Sequence, residues 1–374
     1  MGEQSGGRSG GRDPVADLRR IAFLLERAQE ATYRVQAFRR AAGVLSGLEP
    51  ALVGRRAAAG TLTELSGVGD VTARCVVESL AGEEPAYLRR LRDAAKAVAN
   101  VGPAAGPVDE DAERLRAALR GDCHSHSDWS DGGSPIEEMA LAAIELGHDY
   151  LVLTDHSPRL TVANGLSAGR LRRQLDVVAA LNEALAQVHD ADDSDGRPPF
   201  RVLTGIEVDI LVDGTLDQEE QLLAELDVVV ASVHSDLRAP SEKMTPRMLA
   251  AIANPHVDVL GHCTGRRVKG RPRPESEFDA TAVFAACAEH GVAVEVNCRP
   301  DRLDPPKRLL RLAIEAGCLL SIDTDAHAPG QLDWLPYGCL RAAQCGADPA
   351  MIVNTWPADR LVAWADRRTV GGGD

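Results

Sequence analysis

The chain has 374 residues, 44% of them hydrophobic, 26% charged and only 3% aromatic, and its formal net charge is −15. This is the composition of a soluble globular protein with room for two or three domains, and the lack of any run of 18 apolar residues excludes a helical membrane span. The eight cysteines show no Cys-x-x-Cys spacing, which points to free thiols in a reducing cytoplasm and away from a disulfide framework. Charge is uneven: residues 1–100 hold 15 Lys/Arg against 12 Asp/Glu, and the remainder holds 26 against 44. The first part can therefore sit on nucleic acid; the second, by charge alone, cannot.

Residues 1–12 are rich in Gly, Ser and Arg and lack an apolar core, so they read as a disordered tail and not as a secretory signal. A helical domain is expected over 13–99. Leu18, Ile21, Leu24 and Leu25 recur at helical spacing behind Asp13 as N-cap and Pro14 at the first helical position. A second helix over 33–48 turns Val35, Phe38, Ala41, Ala42 and Leu45 inward and Arg34, Arg39 and Arg40 toward solvent. In Leu65-Ser-Gly-Val-Gly69 two glycines around a small apolar residue permit a tight turn between short helices. This resembles a helix-hairpin-helix module, which grips DNA backbone without reading sequence, and Gly67, Gly69 and Thr72 are its candidate DNA contacts. Asp70 stands where such modules often carry a basic residue, so a purely structural hairpin is the alternative. One more helix over 85–99 points Tyr87, Leu88 and Leu91 inward. Residues 100–117 read as a linker by composition. Its second half opens a short helix, Glu110–Leu119.

The main domain is expected over 118–360. Apolar runs at 150–154, 200–210, 228–233, 257–261, 292–296 and 319–323 alternate with helical patterns at about 135–147, 167–190, 217–226, 245–254, 279–290, 305–317 and 336–345. Such alternation predicts an α/β fold with parallel strands and helical crossovers, as a barrel or a doubly wound sheet. The acidic stretch 190–199 reads as a surface loop, because the ligand spacing of a calcium site is missing. Residues 361–374 read as a C-terminal tail.

Metal-type side chains fall at the ends of these runs. His124 and His126 form a His-x-His pair whose imidazoles share one face of a strand, and Asp131 follows in the loop leaving it. His156 sits in Thr-Asp-His-Ser, Glu207 in Gly-Ile-Glu-Val-Asp, His234 in Ser-Val-His-Ser, His262 in Gly-His-Cys, and Asp325 and His327 in Asp-Thr-Asp-Ala-His. In a parallel barrel the C-terminal strand ends carry the active site. Six of the ten histidines belong to this set. His148, His189, His256 and His290 read as structural, with His148 and His290 near helix C-termini where an imidazolium suits the dipole. Asp155 and Asp209 either orient ligating imidazoles or are ordinary strand-end carboxylates. Arg266, Arg267 and Lys269 lie in a stretch with five basic residues in eight, 266–273, and Arg299 and Arg302 follow the sixth run. These five are either a phosphate clamp or a solvated loop. Cys123, Cys263 and Cys298 flank the set and are expected to pack and not to ligate.

Together, His-Ser-His-Ser (124–127), Thr-Asp-His-Ser (154–157), Gly-Ile-Glu-Val-Asp (205–209), Ser-Val-His-Ser (232–235), Gly-His-Cys-Thr-Gly-Arg (261–266), Glu-Val-Asn (295–297) and Ser-Ile-Asp-Thr-Asp-Ala-His (321–327) resemble the PHP (polymerase and histidinol phosphatase) domain. The resemblance runs over about 120–357. It is closest to the PHP domain attached to bacterial family X DNA polymerases, whose N-terminal helical domain the first hundred residues also resemble. No polymerase palm fits between the two parts, so polymerase activity is not expected. The resemblance implies a distorted (β/α)7 barrel preceded by a small all-α helix-hairpin-helix domain. It implies two or three divalent ions, Zn, Mn or Fe. His124, His126, Glu207 and Asp325 would hold one; Glu207, His234 and His262 a second, with Glu207 bridging; Asp131, His156 and His327 a third. Position 131 is Asp where other branches of the family use His.

The implied chemistry is phosphate-ester hydrolysis, with Glu207, Asp325 and His327 as catalytic residues. The expected substrate is a DNA or nucleotide end, cut by a 3′–5′ exonuclease or a phosphatase. Two alternatives stand beside this: a small-molecule phosphatase of the histidinol-phosphatase type, and a non-catalytic DNA-binding protein. The expected partners are nucleic acid or a phosphate-ester substrate, with no membrane.

Overall fold

The computed structural model describes residues 12–101, 109–191 and 198–370. Nearly all of the expected tail at 1–12, the middle of the expected linker, most of the acidic loop at 190–199 and the last four residues lie outside the described residues. The chain divides into two compact units, residues 1–107 and 108–374.

The first unit is all helical: α1 (Pro14–Arg27), α2 (Thr32–Ser46), α3 (Pro50–Ala59), α4 (Asp70–Leu80) and α5 (Ala86–Val101). Asp13 caps α1 by accepting from the Val15 amide at 2.8 Å, and Pro14 follows where its missing N–H costs nothing. One stripe of α1, Leu18, Ile21 and Leu25, is fully buried, and α1 packs on α2, α4 and α5. Each such side chain contributes about 1.5–3 kcal/mol by leaving water. Arg39 does not join the solvated face expected for it. Its guanidinium makes a two-pronged pair with the buried carboxylate of Glu26, 2.8 Å on each prong, and ties α2 to α1.

The second unit runs α6 (Glu110–Ala118), β1 (Gly121–Ser125), α7 (Ile136–Glu145), β2 (Tyr150–Leu153), α8 (Ala168–Ala191), β3 (Arg201–Asp209), α9 (Glu220–Leu223), β4 (Val228–Ser232), α10 (Ser241–Ile252), β5 (Val259–Leu260), α11 (Ala280–His290), β6 (Ala293–Asn297), α12 (Lys307–Glu315), β7 (Leu320–Asp323), α13 (Leu335–Ala343) and α14 (Ala358–Val370). The expected linker therefore ends in a formed helix, α6. The seven strands are parallel and lie in chain order. Their apolar runs are buried on both faces, as crossover helices require. Alternate residues of one strand face one way, so Leu203, Gly205 and Glu207 share a face of β3, and Ala293, Glu295 and Asn297 share a face of β6.

The ring closes in two places. At the C-terminal end of the strands Ser125 pairs with Ala326, and the His126 amide donates to the Ala326 carbonyl at 2.7 Å. Lower down, the Asn354 amide donates to the carbonyls of Ile322 (2.6 Å) and Gly121 (3.3 Å), and its oxygen accepts from the Ile322 amide (3.1 Å). A side chain here replaces the missing ladder between β1 and β7. Below it, Trp356, Leu361 and Trp364 pack with Tyr150, Val152, Leu203, Val228 and Val259. Residues 361–366 are therefore part of the core and not a tail, because their apolar faces fill the barrel's lower mouth. No helix among the described residues is long and apolar enough to cross a membrane.

Candidate metal centre

Glu207 lies at the centre of the upper mouth, 1% exposed. Its two oxygens serve different partners. Oε2 faces His124 Nε2 at 3.3 Å, His126 Nε2 at 3.5 Å and His156 Nδ1 at 2.9 Å. Oε1 faces His234 Nε2 at 3.2 Å and His262 Nε2 at 2.8 Å. Asp325 Oδ1 stands 3.5 Å from His126 Nε2. Asp131 Oδ1 stands 3.5 Å from both His156 Nε2 and His327 Nε2. All nine side chains expected as ligands thus meet at one end of the barrel.

Ligating atoms close enough to share an ion fall into three sets: His124, His126 and Glu207; His156, Glu207 and His234; and His126, Asp131, His156 and His327. This differs from the expected sets in two respects: among the described residues Asp325 and His262 fall in none of the three, and two imidazoles are shared. His126 and His156 each reach two positions, His156 because its ring presents Nδ1 to Glu207 and Nε2 to Asp131. The donor chemistry fits divalent cations. Among the described residues the buried atoms His124 Nε2, His126 Nε2, His156 Nδ1, His234 Nε2 and Glu207 Oε2 have no hydrogen-bond partner, and imidazole and carboxylate atoms converging unsatisfied are what a cation satisfies. Imidazole and carboxylate together suit Zn, Mn or Fe.

Electrostatics agree with that reading at three groups, whereas at His124 and His234 burial is outweighed by the facing Glu207, which holds both imidazoles above their usual value. Burial pushes the Glu207 carboxyl up, but His156, His234 and His124 hold it well below the carboxylate range. Burial likewise raises Asp325, and Arg299 and Arg302 overcome it. Burial, His327 and His156 press His126 well below the usual imidazole value, so this ring offers a lone pair and not a charge.

The five expected phosphate contacts separate. Arg302 Nε is 3.3 Å from Asp325 Oδ2, and Arg299 reaches Asp325 Oδ1 at 3.4 Å and Asp301 at 3.5 Å. Both guanidinium groups are therefore at the centre. Arg267 lies farther out, 3.7 Å from Asp301, and Lys269 is exposed. Arg266 is turned to backbone. It donates to the carbonyls of Arg302 (3.1 Å) and Leu303, where Leu303 adopts a left-handed backbone with φ of 51°. Holding that strained turn is its role, since a branched-γ side chain is disfavoured there.

Two other expectations change. Asp155 touches no imidazole. It accepts from the Ser127 amide and hydroxyl, the Ser130 hydroxyl and Gln174 Nε2, and so fastens the loop that carries Asp131. Asp209 does stand behind an imidazole, 3.4 Å from His234 Nδ1. Among the outlying histidines, His148 is no imidazolium: burial and Arg116 push it down to about 3. Sequence reasoning assigned no role to Glu295, whose Oε1 accepts from His124 Nδ1 at 2.7 Å. A carboxylate alternating with Val294 and Val296 inside a buried strand was the available signal.

In the first unit, Gly67 has φ of 98°, and a Cβ there would meet Arg40 Cγ at 2.9 Å, so glycine is required twice over. Thr72 is not a free contact. Its Oγ1 accepts from the Gly69 amide at 3.0 Å and donates to the Gly69 carbonyl at 2.9 Å, closing the start of α4 on itself. The Gly69 amide is engaged by the same bond.

Residues 122–299 match the family model described as PHP domain, and residues 11–85 the one described as helix-hairpin-helix domain. The chain is 40% identical over 236 residues to the DNA polymerase/3′-5′ exonuclease PolX of Bacillus subtilis, a match covering 63% of this chain and 39% of that protein. It is 30% identical over 177 residues to a protein named as a probable phosphatase in Edwardsiella ictaluri, covering 45% of this chain and 68% of that one. A solved histidinol phosphate phosphatase from Lactococcus lactis, complexed with zinc, L-histidinol and phosphate, aligns with a TM-score of 0.43 at 18% identity, over 62% of this chain and 95% of its own. At that level nothing further follows from it. The chain spans about two fifths of the length of the Bacillus protein.

Proposed function

The chain belongs to the PHP-domain family, and from that premise we propose that it is a metal-dependent phosphoesterase acting on DNA or nucleotide ends, as a 3′–5′ exonuclease or an end phosphatase. The observation that carries the reading is Glu207, one buried carboxylate with three imidazoles on one oxygen and two on the other. His124, His126, Glu207 and Asp325 would hold one divalent ion, Glu207, His234 and His262 a second, and Asp131, His156 and His327 a third. Such ions supply Lewis acidity and bring the pKa of water toward neutrality. The protein's own part is positioning. Glu207 keeps two positions adjacent. Asp325 holds Arg299 and Arg302 at the mouth, where their guanidinium groups bind phosphate oxygens and balance charge gathering there. His327 and Asp131 are the more exposed members, 20% and 34%, and mark the side from which substrate enters. Eight cysteines with no Cys-x-x-Cys spacing suit a cytoplasmic setting.

One observation favours a second reading. The Gly69 amide and the Thr72 hydroxyl bond to each other, which suits a structural hairpin beside a small-molecule phosphatase. Assays of the protein reconstituted with Mn²⁺ or Zn²⁺ separate the two. End-labelled single- and double-stranded DNA, histidinol phosphate and a generic phosphomonoester are the substrates. Release of mononucleotide or phosphate from DNA is the expected result, with Glu207→Gln reducing it at least ~100-fold, since the variant removes a charge shared by two ions. Hydrolysis of histidinol phosphate alone would select the second reading. An ion-loaded protein that hydrolyses none of these would sink both.

A further inference from the structure

Six of the seven strands have a residue assigned above as a ligand within three residues of their C-terminal end; β6 does not. Its inward residues Glu295 and Asn297 are fully buried. Glu295 Oε1 accepts from His124 Nδ1 at 2.7 Å, and its Oε2 accepts from the His262 amide and from Asn297 Nδ2 at 3.3 Å. The same Asn297 amide lies 3.2 Å from Asp325 Oδ2. Across the barrel, Asp209 Oδ1 accepts from the His234 amide at 3.1 Å and stands 3.4 Å from His234 Nδ1. Nδ1 of His126, His234 and His262 are all buried without a hydrogen-bond partner among the described residues; of the three, only His234 Nδ1 faces a carboxylate, that of Asp209. Each position bridged by Glu207 therefore contains one imidazole with a carboxylate behind it and one without.

We propose that Glu295 and Asp209 are positioning residues that each tune one of the two Glu207-bridged ion positions, and that the position backed by Glu295 is the tighter. This rests on the metal-dependent reading above. A carboxylate behind Nδ1 fixes the tautomer with the proton on Nδ1, turns the Nε2 lone pair toward Glu207, and makes that nitrogen a stronger donor. Glu295 does so for His124 through a 2.7 Å hydrogen bond; Asp209 acts on His234 from 3.4 Å, an ion-pair distance without a hydrogen bond. The first position gathers three buried carboxylates, Glu207, Asp325 and Glu295, with Asn297 holding the last two in register and Arg299 and Arg302 offsetting the charge of Asp325. The second has Glu207 and Asp209 alone. What sets the first position apart is the contact behind its imidazole, a 2.7 Å hydrogen bond against a 3.4 Å approach, which makes His124 the better-backed donor. It also explains why β6 carries no ligand of its own: its side chains support the ligands of β1, β5 and β7.

The test is a Co²⁺ titration of the full chain after chelator stripping, followed by calorimetry and visible absorption. Wild type, Glu295→Gln and Asp209→Asn are compared, with thermal melting of each stripped protein as the control for folding. The wild type is expected to fill a tightest position first. Glu295→Gln should weaken that step by roughly 10–100-fold and leave the next within about twofold; Asp209→Asn should do the reverse. Equal weakening of every step by both variants would overturn the proposal, as would wild-type binding by a normally folded Glu295→Gln. If Glu295→Gln melts early, Asn297→Ala takes its place, because it keeps both carboxylates and removes the amide between them. Weakening of the first step alone is then expected, and unchanged binding refutes the idea. A wild-type protein that takes up no Co²⁺ would overturn the metal-dependent reading itself, a result distinct from each of these.

Discussion

Arg266 and Arg302 are basic side chains on neighbouring loops, yet they have opposite work. Arg302 is 11% exposed, and apart from its Nε contact with Asp325 its guanidinium has no partner among the described residues, so it has donors to offer a substrate. Arg266 is engaged with two backbone carbonyls. Arg302→Ala is therefore expected to raise KM for a phosphate ester by roughly 10–100-fold while the melting temperature stays near wild type, because a charge-assisted bond to phosphate contributes about 1.5–3 kcal/mol. Arg266→Ala should behave in reverse, losing about 1–3 kcal/mol in urea unfolding as buried carbonyls go unpaired, with a smaller effect on KM. Equal KM effects would show that the two loops had been sorted wrongly. The sorting could not be read from the sequence, where 266–273 is one basic run. Which carbonyls lie within reach depends on how the Leu303 turn folds back, and that is a tertiary matter. The metal-type residues were legible for the opposite reason. Most stand at or just past the end of an apolar run, and strand direction carries them to the same end. Glu207 and Glu295 both lie within their runs, and the runs themselves do not separate a ligand from a residue behind one.

At the scale of an element, α4 illustrates how a motif can be recognised while its atoms are misassigned. The Leu65–Gly69 turn and the helix after it stand where the spacing predicted, and Gly67 is in the left-handed region that a turn of this kind needs. The hydroxyl of Thr72, however, serves its own helix. Ser, Thr and Asp near a helix start bond locally more readily than they reach a ligand, because the first amides of the helix are unsatisfied and close at hand. Thr72→Val is thus expected to destabilise the chain by about 1 kcal/mol in urea unfolding, with DNA retention on a gel shift unchanged. A selective loss of DNA binding without loss of stability would restore Thr72 as a contact. The same helix anchors Ser79 on Asp17 at 2.7 Å, so its position depends on α1 as much as on the turn.

For the whole molecule, the number and order of strands were legible, because parallel strands with helical crossovers write a regular alternation of apolar runs and amphipathic stretches. How the ring is shut was not, since Asn354 lies past the last expected helix at 336–345, in a stretch with no element signal of its own. Asn354→Ala would leave the Ile322 amide and the Ile322 and Gly121 carbonyls without their side-chain partner. We expect about 2–4 kcal/mol less stability in urea unfolding, and faster loss of bound metal to a chelator, because the opened seam lies beneath His124 on one side and Asp325 on the other. Chelator resistance equal to wild type would mean that the upper closure through Ala326 suffices.

The Asn354 stitch also bears on the order of events during folding. It joins residues 233 positions apart, and the neighbouring bonds from Cys123 to Asp323 and from Thr324 to Asp122 span 200 and 202. Contacts of such sequence separation form late, because the entropy of closing the intervening loop must be overcome before they contribute. His124 and His126 cannot meet Asp325 until that has happened. Metal capture is therefore an ending of the folding reaction and not its nucleus: bound ions would slow unfolding far more than they hasten folding. A chain still emerging from the ribosome would hold its histidines apart until almost the whole barrel had been made.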